Sequence, residues 1–237
     1  MSRETYDDIR RAIRETWSVG LGLIPLGLAF GLVMTQAGFA WWWTPIFSTV
    51  IYAGSMEFLA VNLVGSGVGP ISAAITGFLV NFRHIFYGLS FPRERIGSRV
   101  GRVYSTYALT DESYAIASVR AHAGTSGAWV LTVQILCQLL WLGSGIVGAL
   151  AGVALPDSLQ GMDFALTALF VVLAWEALEK NKDLSLPLIA AGLGILGAIL
   201  VPQQMLIAAL GVYALHIVAR SANPRLDAAL EIRRGRP

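Results

Sequence analysis

The stretch GAWVLTVQILCQLLWLGSGIVGALAGVA, residues 127–154, decides the fold class. It carries no acidic or basic side chain and exceeds the roughly 20 residues that an α-helix needs to cross a bilayer core. We therefore predict a transmembrane helix that is long enough to tilt or break. The lone cysteine of the chain, Cys137, lies in this run and is interpreted as a small buried hydrophobic residue.

Apolar runs recur along most of the chain. They cover about residues 17–37, 44–66, 69–91, 162–179, 185–201 and 203–219. Of the 237 residues, 55% are hydrophobic and only 14% are charged, whereas soluble proteins average about 25% charged residues. The sequence therefore predicts an all-α polytopic membrane protein with about seven to eight transmembrane segments.

Arginine and lysine are concentrated in segments that we expect to face the cytoplasm, because cytoplasmic loops carry an excess of both residues. We predict a cytoplasmic amphipathic arm over residues 1–16, a transmembrane transport domain over 17–219 and a basic cytoplasmic tail over 220–237. The protein is predicted to be a multi-pass protein of the inner membrane with both termini in the cytoplasm.

The number of crossings in the first half has two solutions. Three crossings from a cytoplasmic arm place the four arginines of residues 93–102 outside. In one solution that loop violates the charge rule, and residues 103–121 form a polar span, giving eight spans. In the other, residues 103–121 and one early segment are re-entrant. We favour eight spans with interrupted helices.

A short repeat bears on this question. YAGSME, residues 52–57, and YALTDE, residues 107–112, share the pattern Y-A-x-(S/T)-x-E. Six residues can match by chance. A true match would predict an inverted repeat of two transporter halves, whose sites are built from broken helices near the membrane midplane.

Placing an ionisable side chain at the bilayer centre costs roughly 2.5–3.5 kcal/mol of insertion free energy. The ionisable residues inside apolar segments are Glu57, Arg83, His84, Asp111, Glu112, Asp163, Glu176 and His216. Arg83 stays charged in a protein, so it needs a carboxylate partner: either Glu57 or the pair Asp111 and Glu112. Such a pair is either a structural tie between helices or part of a substrate or proton pathway.

Predicted breaks in the helices would add backbone groups to the ionisable side chains of a candidate site. GLGLIPLGLAFG, residues 20–31, and AGSMEF, residues 53–58, are predicted to kink or unwind. Unwound helices expose N–H and C=O groups that suit an amino-acid zwitterion. The predicted substrate-binding residues are Pro25, Gly27, Gly54, Ser55, Glu57, Asn81 and Arg83; the predicted proton-coupling residues are His84, Asp111, Glu112 and Asp163.

Three of the ionisable residues also have simpler interpretations. Asp163 equally suits a favourable charge at a helix N-terminus, and Glu176 and His216 are interpreted as structural. No P-loop, H-E-x-x-H or C-x-x-C motif occurs. We therefore expect no enzymatic activity, no cofactor, no metal site and no nucleic-acid binding.

Five stretches, taken in order, resemble the AzlC family, the large subunit of branched-chain amino acid exporters. They are IPLGLAFG, YAGSMEF, NFRHIFYGLS, LTDESYA and MDFALTALF, between residues 24 and 170. The resemblance implies export of leucine, isoleucine and valine, with methionine as a further candidate. It also implies a complex with a small AzlD-like membrane subunit.

Two alternatives to a proton-coupled exporter stay open. One is a passive channel for a small solute, against which the ionisable residues within apolar segments argue. The other is a scaffold subunit whose activity belongs to its partner.

Overall fold

The computed structural model describes residues 3–121, 125–155, 171, 175 and 183–232. These residues contain α-helices, single 3₁₀ turns and no β-strand. Three helices are long and apolar enough to cross a membrane, at Val19–Gln36, Gly127–Ala154 and Met205–Ala222, and the helices Pro70–Asn81 and Ser185–Leu200 are shorter and apolar. The predicted class, a helical membrane protein, is confirmed.

The chain folds into two compact units. In chain order the described α-helices are α1 (Arg3–Gln36), α2 (Trp43–Val50), α3 (Gly54–Gly65), α4 (Pro70–Asn81), α5 (Arg83–Ser90), α6 (Arg99–Tyr107), α7 (Asp111–Arg120), α8 (Gly127–Ala154), α9 (Ser185–Leu200), α10 (Met205–Ala222) and α11 (Pro224–Leu230). The first unit comprises Met1–Ser66 and Asn81–Met162, and the second comprises Gly67–Val80 and Asp163–Pro237.

Helices α1 and α8 pack along each other and run in the same direction. Contacts advance in the same order along both, as three pairs show: Glu15 with Trp129, Gly27 with Ser144, and Thr35 with Gly152. Both helices therefore begin at one end of the first unit, where Asp8 accepts a hydrogen bond from the backbone N–H of Ser126 at 3.2 Å.

Glycines allow this close approach. A Cβ atom on Gly148 would lie 2.8 Å from the carbonyl carbon of Leu28, and one on Gly31 would lie 2.9 Å from the carbonyl carbon of Gly148. Both distances are shorter than atoms tolerate, and the opposing atoms belong to the backbone. Small residues at such positions are how membrane helices reach close van der Waals contact.

The amphipathic arm and the first apolar run form one continuous helix, α1, with Pro25 inside it. The sequence predicted a kink or unwinding here. Pro25 is exposed, whereas Gly27 is buried against α8. Packing on α8 therefore supports the face opposite the proline and keeps α1 helical through the glycine-rich stretch.

Helices α2 and α3 form a hairpin whose open end lies toward the C-terminal end of α8. Thr44 contacts Gly145 near the start of α2. Helix α2 then runs toward the N-terminal part of α8, and Gly54, at the start of α3, lies beside the Trp141 ring. Helix α3 runs back in the opposite direction, and the Phe58 ring lies 5.3 Å from the Phe30 ring. Tyr52, in the turn, has φ +43°, a left-handed conformation that is uncommon outside glycine.

Helices α6 and α7 form a second hairpin of opposite direction. The segment just before α6 lies against the start of α8, where Gly127 contacts Ile96. Further along, α6 lies beside a later part of α8, where Gln134 Nε2 donates to the Ser105 carbonyl at 2.8 Å. Helix α7 then leads back to Arg120, shortly before α8 begins. Both ends of this hairpin therefore lie at the same end of the unit as the beginning of α1.

In the second unit, α9 and α10 pack together as a hairpin with Gly197 against Met205. At the opposite end of this hairpin, the buried Arg220 side chain links the start of α9 to the end of α10. It donates hydrogen bonds to Asp183 at 2.7 Å, Asp227 at 2.6 Å and Ser185 at 2.8 Å. Burial alone would raise the pKa of Asp183, but hydrogen bonds from Ser185, Arg220 and Ile232 lower it below its ordinary value.

Candidate functional site

The two copies of the Y-A-x-(S/T)-x-E pattern lie at the tips of the two hairpins. Residues 52–57 cover the turn into α3, and residues 107–112 cover the turn into α7. The tips touch, because the Tyr52 and Tyr107 rings are 5.6 Å apart and the Tyr107 hydroxyl donates to the Thr49 carbonyl at 2.5 Å. The two copies of the pattern therefore lie in contact, on hairpins that are reached from opposite ends of the unit.

A small cavity lies between the tips. Among the described residues, its lining consists of Leu23, Tyr52, Gly54, Glu57, Thr110, Glu112, Cys137 and Trp141. The volume open to the centre of a water molecule is about 20 Å³, which is room for one water and far less than an amino acid needs. In this arrangement of the two hairpins, the cavity is therefore too small to hold an amino acid.

Glu57 is the most enclosed acidic residue of this site, with 0% of its surface exposed. The Ser48 hydroxyl donates to its Oε2 atom at 2.6 Å, and Trp141 Nε1 donates to Oε1 and Oε2 at 3.0 and 3.1 Å. Its position in the first turn of α3 also favours negative charge. Every one of these stabilising groups is neutral.

An aromatic cluster covers the side of Glu57 that faces the C-terminal end of α8. Phe30 stacks on Trp141 with ring centroids 6.0 Å apart, and Phe58 meets both rings edge-on. All three side chains are buried. They exclude water from one approach to the carboxylate and offer an apolar surface beside the cavity.

Arg83 pairs with Asp111, not with Glu57. Arg83 Nε donates to Asp111 Oδ1 at 2.8 Å and Nη2 donates to Oδ2 at 2.6 Å. This two-point geometry is the strong form of an arginine–carboxylate pair. The pair joins α5 to the N-terminus of α7 at the level of the hairpin tip, and both side chains remain partly exposed. Asp111 therefore anchors Arg83 beside the cavity, next to cavity-lining Glu112.

His84 contacts different groups from those that Arg83 binds. Its Nδ1 atom lies 3.1 Å from the Asn81 carbonyl oxygen, and its ring meets that of Tyr87 at 5.3 Å. Tyr87 in turn stacks on Tyr114 at 4.2 Å, which ties α5 to α7. Adjacent helical residues point about 100° apart, so this division is expected.

The structure thus brings together only some of the predicted site residues. Gly54, Glu57 and Glu112 line the cavity, and Arg83 and Asp111 form the adjoining ion pair. Ser55 follows Gly54 in the first turn of α3, while Pro25 and Gly27 belong to the exposed and packed faces of α1. Asp163 and Glu176 lie outside the described residues. His216 lies in α10 of the second unit.

Sequence reasoning missed Ser48 and Trp141, which hold Glu57, and Tyr52, whose ring forms the contact between the tips. The only available signal was chemical: a buried carboxylate needs donors. Nothing in the sequence says which of the serine and tryptophan residues reach it, and Trp141 lies 84 positions away.

Metal binding has no support from the described part of the chain. No group of three or more histidine, cysteine, aspartate or glutamate side chains there could hold an ion.

Comparison with known proteins identifies the family. A family model described as AzlC protein matches residues 18–155. The chain belongs to the AzlC family. The matched region runs from the first apolar part of α1 to the end of α8 and so contains both hairpins and the cavity. The resemblance noted from the five sequence stretches is confirmed.

Individual relatives support the same assignment. The chain is 33% identical over 81% of its length, and 76% of the relative's, to "Branched-chain amino acid transport protein AzlC" of Bacillus subtilis. It is 30% identical over 77% of its length, and 76% of the relative's, to an "Uncharacterized membrane protein" of Haemophilus influenzae. It is 29% identical over 72% of its length, and 74% of the relative's, to "Inner membrane protein YgaZ" of Escherichia coli. No solved structure matches this AzlC-family chain.

Proposed function

We propose that this chain is a secondary transporter of the inner membrane that exports branched-chain amino acids, namely leucine, isoleucine and valine, with methionine as a further candidate. Export is coupled to protons, and the chain acts as the large subunit of a complex with a small AzlD-like membrane protein. Membership of the AzlC family and the name of the Bacillus subtilis relative support the transport class and the cargo.

The observation that carries the transport mechanism is the cavity between two hairpin tips that enter from opposite ends of the unit. Transporters with inverted repeats place their sites where interrupted helices meet. A buried carboxylate, the uncapped start of α3 and the neighbouring Arg83–Asp111 pair supply groups of both signs around the cavity. A zwitterion needs both signs.

Membrane orientation follows if both hairpins are re-entrant. Helices α6 and α7 then enter from the cytoplasmic side and leave to it, and α2 and α3 do the same from the outer side. The apolar segments number seven to eight, but these two hairpins do not cross. In this arrangement the arginines of residues 93–102 and both termini are cytoplasmic, so the charge rule that eight spans violated is satisfied.

Substrate recognition is proposed to use the α3 N-terminus at Gly54 and Ser55, with Glu57 near the ammonium group and Arg83 near the carboxylate. Asn81 adds polar groups beside Arg83. His84, Asp111, Glu112 and Asp163 are proposed as the proton-coupling set, which passes protons to and from the substrate site. The cavity must open before an amino acid fits, which requires the hairpin tips to separate.

The function is tested with the purified full chain in proteoliposomes, alone and co-purified with its small membrane partner. Radiolabelled leucine should enter by counterflow against unlabelled leucine, and a pH gradient should drive accumulation. A passive channel would show leucine equilibration without counterflow or pH-driven accumulation. Equal transport by the small partner alone would assign this chain a supporting role.

Arg83→Ala tests the polar site within this function. We expect export to be lost while the protein is still inserted, because Asp111 loses its partner. Arg102→Ala is the matched control, since Arg102 is exposed and lies away from the cavity. Full transport by a well-expressed Arg83→Ala variant would contradict a role for Arg83 in the export pathway.

A further inference from the structure

We propose that the Glu57 carboxylate is the single group for which a proton and the ammonium group of the substrate compete. This inference rests on the proposed transport function and deepens it. It names the residue at which proton and cargo exchange, and it fixes their ratio at one to one.

The first argument is the electrostatic isolation of Glu57. Its carboxylate is fully buried, and its side-chain donors among the described residues are a hydroxyl and an indole N–H. An ionised carboxylate in such a place is costly unless a charge compensates it. Arg83, the cation predicted from the sequence as a candidate partner for Glu57, instead binds both carboxylate oxygens of Asp111. Glu57 is therefore left to be neutralised by a proton or by an incoming cation.

The groups that face Glu57 favour a cation in the cavity. Helix α8 contributes Cys137 and Trp141, α7 contributes Glu112, the turn before α3 contributes Tyr52, and α1 contributes Leu23. None of these carries positive charge, and Glu112 can carry negative charge. An ammonium group in the cavity would thus meet Glu57 and Glu112, and no lysine or arginine is among the described residues that line the cavity. Leu23 and Trp141 offer apolar surface to an aliphatic side chain.

The second argument is that proton binding needs no rearrangement. Ser48 donates to Glu57 Oε2 when the carboxylate is ionised. A hydroxyl both donates and accepts, so the same 2.6 Å contact can reverse when Glu57 is protonated. Trp141 Nε1 can only donate and remains bonded to the carboxyl group in both states.

Competition at one carboxylate sets the transport balance. When Glu57 holds a proton, the ammonium group has lost its counter-charge and the zwitterion leaves; when the zwitterion binds, the proton has left. Because the zwitterion has no net charge, each cycle moves one amino acid one way and one proton, with its positive charge, the other way.

The test measures the apparent affinity of the full chain, co-purified with its small membrane partner, for radiolabelled leucine between pH 5.5 and 8.5 in proteoliposomes. Competition predicts that wild-type affinity weakens about tenfold per pH unit on the acidic side of a midpoint. Glu57→Gln should bind leucine weakly and without pH dependence. Glu94→Gln, in the exposed loop before α6, should behave as wild type.

Ser48→Ala provides an independent readout, because it leaves the carboxylate in place. Removing a donor to the ionised form should move the midpoint up by about one pH unit. The midpoint measured in Ser48→Ala therefore tests competition at Glu57 even if Glu57→Gln binds no leucine.

The outcomes separate the two proposals. Wild-type protein that exchanges no leucine at any pH, even together with its small membrane partner, would refute the transport function itself. Leucine exchange with a pH-independent affinity, a pH dependence that persists in Glu57→Gln, or an unchanged midpoint in Ser48→Ala would refute competition at Glu57 and leave the transport function standing.

Discussion

Replacing Gly148 by alanine should destabilise the first unit, although alanine is the better helix former. The added Cβ would lie 2.8 Å from the carbonyl carbon of Leu28 and still closer to its oxygen. These are backbone atoms of α1, so no side-chain rotation relieves the overlap. The two helices must separate along their shared interface.

The magnitude follows from two opposing effects. Glycine to alanine in a helix interior gains about 1 kcal/mol of helix propensity. Overpacking a close contact costs about 1–3 kcal/mol, so the middle of that range leaves a net loss of about 1 kcal/mol. For a chain of this size that corresponds to a fall in Tm of about 2–4 °C.

Gly143→Ala is the matched control in the same helix. Gly143 is exposed, and nothing lies within 4 Å of the position that its Cβ would take. Only the propensity gain applies, so its Tm should rise by about 2–4 °C. Thermal unfolding of both purified variants in detergent, followed by tryptophan fluorescence, measures the difference. A Tm for Gly148→Ala equal to or above that of Gly143→Ala would refute the close backbone approach of α1 and α8.

Exchanging the charges of the ion pair, as Arg83→Asp with Asp111→Arg, should restore part of the thermal stability lost in either single variant, because the pair joins α5 to the α7 tip. Equal loss of stability in all three variants would exclude a direct pairing role. In a background without the native cysteine, Gly97→Cys should react with an impermeant thiol reagent from the same membrane side as Arg10→Cys, and labelling from opposite sides would contradict the re-entrant α6–α7 hairpin. The pKa of Asp183 is lowered by its hydrogen bonds, so its contribution to stability is present above about pH 4, the unfolded value, and is lost as the pH falls below it. Thermal unfolding between pH 7 and 3 should therefore be less pH-dependent in Asp183→Asn, and an unchanged pH dependence would contradict this assignment.

Several properties of this protein follow from its sequence. The run of residues 127–154 is enough to assign a membrane helix, because it is long enough to cross the bilayer and contains no charged side chain whose insertion would cost free energy. For the same reason Glu57, Arg83 and Asp111 stand out as residues that need partners. The repeat at residues 52–57 and 107–112 was also visible, although only as a short match.

The tertiary structure decided which partners these residues have. Glu57 and Arg83 were both candidates for one ion pair, yet Arg83 bonds to Asp111, and Glu57 bonds to Ser48 and Trp141. It also decided that α2–α3 and α6–α7 turn back as hairpins, and that α1 continues through Pro25. The physical reason is that a residue's type shows that it needs partners when buried, whereas the identity of those partners depends on which side chains lie at the same depth. That depth is set by how α1 and α8 align through glycine contacts far apart in the chain.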